Sequence, residues 1–408
     1  MKILHVIPSI SPARGGTSRA VIDMVHALLD RGIDVEIATT NDDGDDLLDV
    51  PLGTLTLYDR IPTYFFARFS PPLPALREFA FSGAFTTWLF QNIAKYDAIH
   101  VHALFSYTST VAMTIARFKK IPYLTTPHGL LCEWSLEQSK QKKQTYLKLI
   151  ERANLDRAQA IHLTCQQEQD DVLALKFKSP TFVLPLALTE IPAQIPDAAK
   201  LLRQNLNCPT DEPIILFLSR LHYKKGLDYL IPALGKLRGR RFTFVIAGSG
   251  TPAYEAEIHS LLVASGIEER TQMIGFVEGE QKDLLIQGAD LFALTSHSEN
   301  FGISVLEALV VGTPVLVTPG VGLATIVRDR HLGYVAELDI EAITQALDRY
   351  LTDPNRAKQM GIRARQFTIE NYNWGKIATD LIQVYQAVVD RQPLPCSIPS
   401  EYPIPFNS

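Results

Sequence analysis

Hydrophobic and polar residues follow one another along the chain in blocks that predict strands alternating with helices. The first block, residues 2–8, is a short apolar run typical of a buried strand, and a Gly15-Gly16 break follows it. From Ala20 to Leu29 the apolar residues are spaced by three or four, which predicts a helix that ends at Gly32. Further strands of this half are predicted at 33–39, 98–101, 123–126, 160–163 and 182–184. Repeated strand–helix units predict a parallel sheet with helices on both faces.

A proline-rich stretch at 189–213 interrupts this pattern and is typical of a connection between domains. Beyond it the alternation restarts, with strands predicted at 214–218, 242–247, 272–274, 291–294 and 314–317. A last helix at 374–390 carries apolar residues on one face, and the proline-rich tail at 392–408 is expected to be extended. We therefore expect an α/β protein with two doubly wound parallel sheets, one in each half.

Composition and charge narrow the classes of function. The 408 residues are enough for two domains, and 39 Lys and Arg against 44 Asp and Glu give a net charge of −5. This balance does not favour nucleic acid as a partner, and the basic run at 140–148 is interpreted as a solvated helix face. Four scattered cysteines without a CxxC pair argue against a structural metal site and favour a cytoplasmic location. No apolar stretch suggests a transmembrane helix, and the N-terminal run is expected to be a strand and not a signal peptide.

The segment 298–318 (SENFGISVLEALVVGTPVLVT) carries the strongest chemical signal. It predicts a loop, a helix that follows Gly302 and ends at Gly312, and a further strand. Glu299 and Glu307 on one helix would be ~12 Å apart along its axis, so we expect Glu299 in the loop and Glu307 on the second turn. Free amides at the start of the helix would lie between two carboxylates, which suits a diphosphate sugar. The alternative is a capping acid followed by an unrelated helical glutamate.

This segment resembles the E-x7-E motif of the retaining glycosyltransferases of family 4, including the G-T-P-V that follows it. The resemblance implies the GT-B fold, in which two Rossmann-like domains face a cleft. It also implies sugar transfer from a nucleoside diphosphate (NDP) sugar with retention of anomeric configuration. Glu299 would then hold sugar hydroxyls, and Glu307 would hold the donor ribose. The donor-binding positions that the resemblance adds in this segment are Asn300, Phe301, Gly302 and Ile303.

A second signal is the segment 217–226 (FLSRLHYKKG), which follows a predicted strand. Arg220 and Lys225 are two cations at the carboxyl end of that strand, where they could hold a pyrophosphate; two exposed charges near a turn are the alternative. The segment is similar to the family's R-L-x-x-x-K-G. The resemblance implies that Arg220 and Lys225 stabilise the departing nucleoside diphosphate, with Lys224 as a less favoured substitute.

Two signals in the N-terminal half depend more strongly on the resemblance. The segment 14–17 (RGGT) lacks the G-x-G-x-x-G spacing of a nicotinamide or flavin site and by itself predicts only a tight turn. The resemblance implies that Gly15 and Gly16 face the donor phosphates. His128, in TTPHGL, would alone be interpreted as structural, but the resemblance places it beside the donor sugar and the acceptor as a catalytic candidate. His102 is expected to be a strand-end histidine bonded to the backbone.

Two further turns resemble the family's donor site, and an ordinary strand–helix turn is the alternative for each. Gly248, in IAGSG, is similar to the family's glycine turn. Phe276 and Val277 are similar to the loop whose backbone reads the nucleobase. One departure is Pro185-Leu186-Ala187, where many members have P-N-G, so the contact made by the usual asparagine is not expected here.

Extended to the whole chain, the resemblance implies an acceptor-binding domain at 1–190 and a nucleotide-sugar-binding domain at 191–372. A helix at 373–391 would pack back on the first domain. The implied protein is a hexosyltransferase of cell-surface polysaccharide or glycolipid biosynthesis, with an NDP-sugar as co-substrate and a saccharide or lipid-linked acceptor. No metal is expected to be required, because the acids at 42–46 are interpreted as loop acids and not as a preorganised ligand set. The donor sugar, base, acceptor, linkage and oligomeric state stay open.

Two rival functions and one surface hypothesis complete the expectations. A sugar-nucleotide epimerase of GT-B-like build would isomerise the donor without an acceptor, and a non-catalytic nucleotide-sugar-binding protein would bind it without turnover. The region 60–89 is rich in aromatic residues and contains Arg68 and Arg77. It is interpreted as a helical pair buried in the N-terminal domain, with peripheral contact at the inner face of a membrane as the alternative.

Overall fold

The computed structural model describes residues 1–71 and 79–395. The chain forms two compact units, of which the first comprises Met1–Ala187 and the chain from Trp374 onward, and the second Leu188–Asn373. We call them the N-terminal unit and the C-terminal unit.

The strands of the N-terminal unit form a sheet that is parallel except at one edge. Their bounds are β1 (Lys2–Val6), β2 (Asp34–Thr40), β3 (Asp42–Asp43), β4 (Asp46–Leu47), β5 (Leu55–Tyr58), β6 (Ile61–Phe66), β7 (Ala98–His102), β8 (Tyr123–Thr126), β9 (Ala160–Leu163) and β10 (Thr181–Val183). The order of the sheet is β10-β9-β8-β7-β1-β2-β6-β5, with β5 and β6 as an antiparallel pair, and β3 and β4 form a small separate ribbon. Strands β7, β8 and β9 are buried along their whole length, as expected for a sheet covered on both faces.

Helices of the N-terminal unit connect these strands. They are α1 (Gly16–Leu29), α2 (Gly83–Asn92), α3 (Tyr107–Lys119), α4 (Glu133–Glu137), α5 (Lys140–Tyr146), α6 (Arg152–Leu155) and α7 (Gln166–Ala174), with one turn of π-helix between α5 and α6. Serine side chains fix two helix starts: Ser82 accepts from the Phe85 amide at α2, and Ser106 accepts from the Ser109 amide at α3.

The C-terminal unit repeats the architecture with a fully parallel sheet. Its strands are β11 (Ile214–Leu218), β12 (Thr243–Ala247), β13 (Thr271–Gly275), β14 (Leu291–Leu294), β15 (Val315–Val317) and β16 (Gly333–Val335). Their order is β13-β12-β11-β14-β15-β16. The helices are α8 (Ala198–Asn205), α9 (Leu227–Lys236), α10 (Pro252–Ser265), α11 (Gly279–Gly288), α12 (Ile303–Val311), α13 (Ala324–Asp329), α14 (Ile340–Thr352) and α15 (Pro354–Asn371).

The last helix, α16 (Trp374–Val389), belongs to the N-terminal unit although it lies at the end of the chain. Its apolar face, which includes Leu381 and Tyr385, is fully buried. No helix among the described residues is long and apolar enough to cross a bilayer.

The predicted strands are all present, with ends that differ by at most two residues, but several segments depart from the expectations. The interpretation of 60–89 as a helical pair is wrong: Ile61–Phe66 is strand β6, whose buried Ile61, Thr63 and Phe65 alternate with partly exposed residues. The stretch 189–213 contains α8, and strand β16 follows the last strand predicted. Strand β5 was not predicted, and the interpretation of the acids at 42–46 as loop acids is wrong for Asp42, Asp43 and Asp46, which lie in the ribbon of β3 and β4. Arg77 lies outside the described residues.

Candidate active site

The carboxyl ends of three neighbouring strands in the C-terminal unit carry most of the predicted site residues. Strand β11 pairs in parallel with both β12 and β14, so the loops after these strands leave the same edge of the sheet. Arg220 and Lys225 follow β11, Gly248 follows β12, and Glu299 follows β14. Ligands of open α/β sheets bind outside this edge.

Lys225 and Glu299 form an ion pair between the loops after β11 and β14. Their side chains are 13% and 24% exposed, so the pair is largely shielded but reachable from solvent. Gly226 holds the two loops together: its φ is +70°, and a Cβ there would lie 1.9 Å from the carbonyl oxygen of Thr295. The Thr295 hydroxyl donates to the Gly226 carbonyl at 2.9 Å. Only glycine permits this approach, which fixes where the Lys225 ammonium sits.

The structure places Glu299 in the loop before α12 and Glu307 on the second turn of that helix, as predicted. Two backbone hydrogen bonds fix the loop: the Glu299 amide donates to the Gly320 carbonyl (2.7 Å), and the Gly322 amide donates to the Glu299 carbonyl (2.9 Å). Glu307 accepts a hydrogen bond from the Lys282 ammonium at 2.8 Å. Each carboxylate of the E-x7-E motif therefore has a lysine partner of its own.

The N-terminus of α12 is suited to an anion. Gly302 precedes the helix with φ +94° and has no side chain that could accept from the first amides, which include that of Ile303. Such amides bind phosphate or carboxylate groups. Phe301 is only 3% exposed, so its contribution to a ligand site is its backbone.

The turn after β11 concentrates positive charge. Burial and the neighbouring charges of Arg220, Lys224 and Lys225 lower the pKa of His222. His222 Nδ1 also accepts from the Lys224 amide at 3.2 Å, which holds the turn that presents Lys225. Arg220 itself is exposed. The turn therefore carries two cations among the predicted site residues, of which Lys225 is held by its ion pair with Glu299 and Arg220 is exposed.

Gly248 packs its backbone against the Arg220 turn. It has φ +138°, and a Cβ at this position would lie 1.9 Å from the Ser219 carbonyl oxygen. The Leu221 amide donates to the Ser249 carbonyl at 2.9 Å, which ties the two loops together. The position of Arg220 therefore depends on the absence of a side chain at Gly248.

The variant Gly248→Ala is expected to lose about 1–3 kcal/mol of stability, because alanine is strained at this φ and collides with the Ser219 backbone. Its melting temperature should fall by several degrees, and donor binding should weaken with the shift of Arg220. Gly239→Ala is the matched control, since a Cβ at Gly239 meets nothing within 4 Å. Thermal unfolding that is equal for the two variants would contradict this role of Gly248.

Phe276 and Val277 follow β13, the strand beside β12. Phe276 is 70% exposed, whereas Val277 is 7% exposed. Phe276 can therefore offer a ring to a ligand, while Val277 can offer only its backbone.

In the N-terminal unit, Gly15 and Gly16 lie between β1 and α1. Gly15 has φ +79°, in the region that favours glycine, and α1 begins at Gly16. Arg14 beside them donates two hydrogen bonds to the Asp42 carboxylate (2.6 and 2.8 Å), and Arg68 pairs with the same carboxylate. Asp42 is thus held in an ion-pair network that orders the glycine turn.

His128 lies in a constrained loop after β8. Its φ is +53° and that of Gly129 is +77°, an uncommon pair of left-handed residues. The Gly129 amide donates to buried Glu168 at 2.6 Å, and Glu168 also accepts from the Thr164 amide at 2.8 Å. Burial raises the pKa of the Glu168 carboxyl, while these hydrogen bonds lower it in part. Glu168 was not predicted, and it fixes the loop that presents His128.

The ring of His128 contacts a second histidine that the sequence analysis interpreted differently. His128 Nε2 lies 3.1 Å from His102 Nδ1, and His102 Nε2 lies 2.9 Å from His5 Nδ1. The expectation that the His102 ring bonds to the backbone is therefore wrong, because both of its ring nitrogens bond to other imidazoles. All three rings stack or tilt closely along one face of the sheet.

Three further buried histidines and a tyrosine belong to this cluster and were missed as a group: His5, His100, His162 and Tyr385. Each histidine sits in an otherwise apolar strand (KILHV, AIHVH, AIHL), and a polar group buried in this way must find a hydrogen-bond partner. That signal was available in the sequence.

Ring nitrogens of His5, His100 and His102 lie within 4.8 Å of one another, a spacing that a metal ion could bridge. Hydrogen bonds within the described residues already account for both ring nitrogens of each of these histidines. We therefore treat the cluster as a hydrogen-bond network.

Comparison with known proteins shows which families and proteins this chain resembles. The model of the family "Glycosyl transferases group 1" matches residues 199–367, and that of the "Glycosyl transferase 4-like domain" matches residues 15–187. An uncharacterized glycosyltransferase of Methanocaldococcus jannaschii is 33% identical over 46% of this chain and 48% of that protein. A D-inositol 3-phosphate glycosyltransferase of Xylanimonas cellulosilytica is 26% identical to this chain. The alignment covers 96% of this chain and 97% of that protein. The structure of the Anabaena protein HepE with UDP and glucose has a TM-score of 0.74 at 20% identity, covering 95% of this chain and all of that one.

The two family models and the shared fold define the class: this is a GT-B glycosyltransferase. The chain belongs to the group 1 glycosyltransferases of the family 4 type, which retain the anomeric configuration of the transferred sugar. This family assignment supports the hypothesis of a transferase against the two alternatives, a sugar-nucleotide epimerase and a non-catalytic binding protein.

Proposed function

We propose that the C-terminal unit binds an NDP-sugar at the edge formed by the loops after β11, β12 and β14. The sugar then passes, with retention, to a saccharide or lipid-linked acceptor. The observation that carries this proposal is the Lys225–Glu299 pair beside the N-terminus of α12. In this proposal Lys225 is the cation for the diphosphate, Glu299 is the carboxylate for sugar hydroxyls, and the first amides of α12 bind phosphate oxygens.

The chemistry follows from these charges. As the bond from the anomeric carbon to the diphosphate oxygen loosens, negative charge grows on the departing diphosphate. Arg220, Lys225 and the first amides of α12 are aimed at that charge, so they stabilise the transition state more than the bound donor. Lys225 must exchange part of its contact with Glu299 for the diphosphate, which frees Glu299 to accept from a sugar hydroxyl. No metal is required in this scheme, because protein cations and backbone amides stabilise the negative charge of the leaving diphosphate.

Other predicted donor contacts extend the same proposal. Glu307 accepts from the ribose hydroxyls, in exchange for part of its contact with Lys282. The exposed ring of Phe276 and the backbone of Val277 lie beside the base. In the N-terminal unit, His128 is assigned to a sugar hydroxyl, and the Gly15-Gly16 turn to the donor phosphates.

A thermal-shift screen over NDP-sugars tests the donor, because a ligand bound only by the folded protein raises its stability. UDP-glucose is the first candidate, since the Anabaena HepE structure contains UDP and glucose. At a ligand concentration 100 times the Kd, the stabilisation should reach about 2.7 kcal/mol. Absence of any shift over UDP-, GDP- and ADP-sugars at millimolar concentration would contradict the donor assignment. Sugar release in the presence of acceptors, with the anomeric configuration read by NMR, tests the transfer.

We also propose a cytoplasmic enzyme with peripheral membrane contact through the N-terminal unit. The membrane contact is supported by Phe69 and Phe81, which are 57% and 43% exposed and pack edge to face with ring centroids 6.3 Å apart. Three other aromatic residues of this region, Phe65, Phe66 and Phe85, are buried in the core and cannot reach a bilayer. Co-sedimentation with anionic vesicles should decrease in a Phe69→Ser, Phe81→Ser variant. If the unaltered chain does not sediment, the membrane contact is wrong.

A further inference from the structure

A continuous chain of hydrogen bonds runs through the N-terminal unit from His128 to the backbone of Leu184. We call it the histidine chain. Its side chains share one face of the sheet because His5 lies opposite His100, and His102 lies opposite Thr126, in the parallel register. Tyr385 of α16 completes it by packing edge-on against His5 and His100. The members, in order, are His128, His102, His5, Tyr385, His100, Thr126, His162 and the Leu184 carbonyl.

Each imidazole of the histidine chain is neutral at pH 7. Burial lowers the pKa of His5 and of His128 to about 3 and that of His162 to about 4. It also lowers the pKa of His100 and His102 well below the ordinary value. A neutral imidazole has one N–H donor and one bare nitrogen that accepts. Each histidine must therefore donate at one nitrogen and accept at the other.

The carbonyl oxygen of Leu184 fixes the first proton, because a carbonyl can only accept. His162 Nε2, 2.9 Å away, must therefore donate to it, which leaves His162 Nδ1 as an acceptor. The Thr126 hydroxyl, 3.0 Å from that nitrogen, must then donate its single proton to His162. Its oxygen is left to accept from His100 Nε2 at 2.7 Å.

The same argument continues along the chain. His100 Nδ1 has no proton left, so the Tyr385 hydroxyl donates to it at 2.7 Å. The Tyr385 oxygen then accepts from His5 Nε2 at 3.1 Å. His5 Nδ1 in turn accepts from His102 Nε2 at 2.9 Å. All bonds so far point the same way, toward Leu184.

The last hydrogen bond of the chain determines which ring nitrogen of His128 carries the proton. His102 Nδ1 is bare, so His128 Nε2 must donate to it at 3.1 Å. His128, which is only partly buried, is left with a bare Nδ1. One backbone carbonyl thus determines the proton position on a histidine seven hydrogen bonds away.

We propose that the histidine chain is a positioning device that holds His128 as the Nε2–H tautomer and presents Nδ1 as an acceptor to a hydroxyl of the ligand. The ligand half of this proposal rests on the proposed function, whereas the tautomer half does not. The device selects a group that donates a hydrogen bond, such as a sugar hydroxyl, over one that can only accept. The residues that act on His128 in this way, from His102 to His162, are positioning residues.

Selective ¹⁵N labelling of histidine in the full chain tests the tautomer directly, because protonated and bare ring nitrogens have well-separated ¹⁵N shifts. The His128 signals are assigned by their loss in His128→Asn. We expect a protonated Nε2 and a bare Nδ1 for His128 at pH 7. A protonated Nδ1 would overturn the proposal without any substrate or activity measurement.

The substitution His162→Phe tests control from a distance. It frees the Thr126 hydroxyl to donate to His100 instead, so that every bond of the chain can point the other way. We expect signals of both His128 tautomers in this variant. Phe182→Leu is the matched control, because Phe182 stacks on the His162 ring at 4.9 Å but belongs to none of the hydrogen bonds. A single, unchanged His128 tautomer in His162→Phe, or an equal change in Phe182→Leu, would overturn the proposal.

If His162→Phe does not fold, Thr126→Val replaces it, since valine has nearly the same shape and removes only the hydroxyl. For the ligand half, a His162→Phe protein with the two tautomers equally populated should bind the NDP-sugar about twofold more weakly, because half of the molecules are competent. Mixed tautomers with an unchanged Kd would overturn the ligand half alone. If the unaltered chain binds no NDP-sugar, the proposed function fails, and the ¹⁵N shifts still decide the tautomer.

Discussion

Replacing Lys225 with alanine is expected to lower kcat by about 10²–10³-fold, the usual effect of removing one preorganised donor from a developing oxyanion. The Gly226–Thr295 contact fixes the backbone beside Lys225. In the proposed function, the Lys225 ammonium stabilises the negative charge that forms on the departing diphosphate. Because this charge is larger in the transition state than in the bound donor, kcat should fall far more than affinity for the acceptor or the donor. Steady-state kinetics with saturating donor and acceptor measure this directly.

The control for Lys225→Ala is Lys236→Ala on the same unit. Lys236 is 52% exposed and pairs with Glu341 at 2.8 Å, so its removal takes away a lysine and an ion pair without touching the site. It should keep the kcat of the unaltered enzyme. An unchanged kcat in Lys225→Ala would remove Lys225 from the mechanism.

A double-mutant cycle separates the ion pair from the chemistry. Glu299→Gln and Lys225→Ala remove the two ends of one contact, so their effects on stability should not add. The effects on kcat should also be less than additive, because each single variant already breaks the same arrangement. Fully additive effects would mean that the two side chains act independently.

Short-range patterns predicted most of the strands, but not β3 to β6 or β16. The apolar runs between turn residues became strands, and the candidate site residues after β11 and β14 were selected from the charges and glycines that follow these strands, together with the resemblance to family 4. The ion pair between Lys225 and Glu299 could not be predicted in the same way. It depends on β14 lying beside β11, a neighbour relationship between segments 74 residues apart.

The histidine chain is a stronger example of contacts between distant segments that short-range patterns do not predict. The histidines of β1, β7 and β9 look unrelated along the sequence, and Tyr385 is 380 residues from His5. Only the sheet order β9-β8-β7-β1, together with the return of α16 to this unit, brings them into one network. The misinterpretation of β6 has a local cause, because its aromatic residues concealed the alternation of buried Ile61, Thr63 and Phe65.

Acid is expected to destabilise the N-terminal unit as the pH falls below about 6.5, and the loss continues toward the folded-state pKa values, which are about 3 for His5 and about 4 for His162. His5, His100, His102 and His162 are fully buried, and burial holds their pKa values far below that of an exposed histidine. In the unfolded chain these histidines take up protons below about pH 6.5, while the folded unit excludes them. The contribution of these neutral histidines to the free energy of unfolding is therefore complete above that pH and is lost as the pH falls.

The expected loss in free energy of unfolding is large compared with the total stability of a domain. One pH unit below 6.5, each excluded proton costs about 1.4 kcal/mol, so four histidines approach the ~5–15 kcal/mol that holds a typical domain together. Four carboxyls of the same unit act in the opposite direction: Glu151, Glu168, Asp171 and Asp380. Burial raises the pKa of each, so the folded state gains stability when they take up a proton and part of the loss is offset.

Hydrogen-exchange mass spectrometry from pH 7 to 5, corrected for the intrinsic exchange rate, can follow the two units separately. Peptides of β1, β7 and β9 should lose protection steeply over the acid range, whereas those of β11 and β12 should change little, since those strands contain no histidine. His259→Ala, which removes an exposed histidine paired with Glu268, should leave this profile unchanged. His162→Phe should make it shallower, because one fewer proton is excluded on folding. Equal acid sensitivity of β1 and β11 would show that the buried imidazoles do not set the acid limit of the fold.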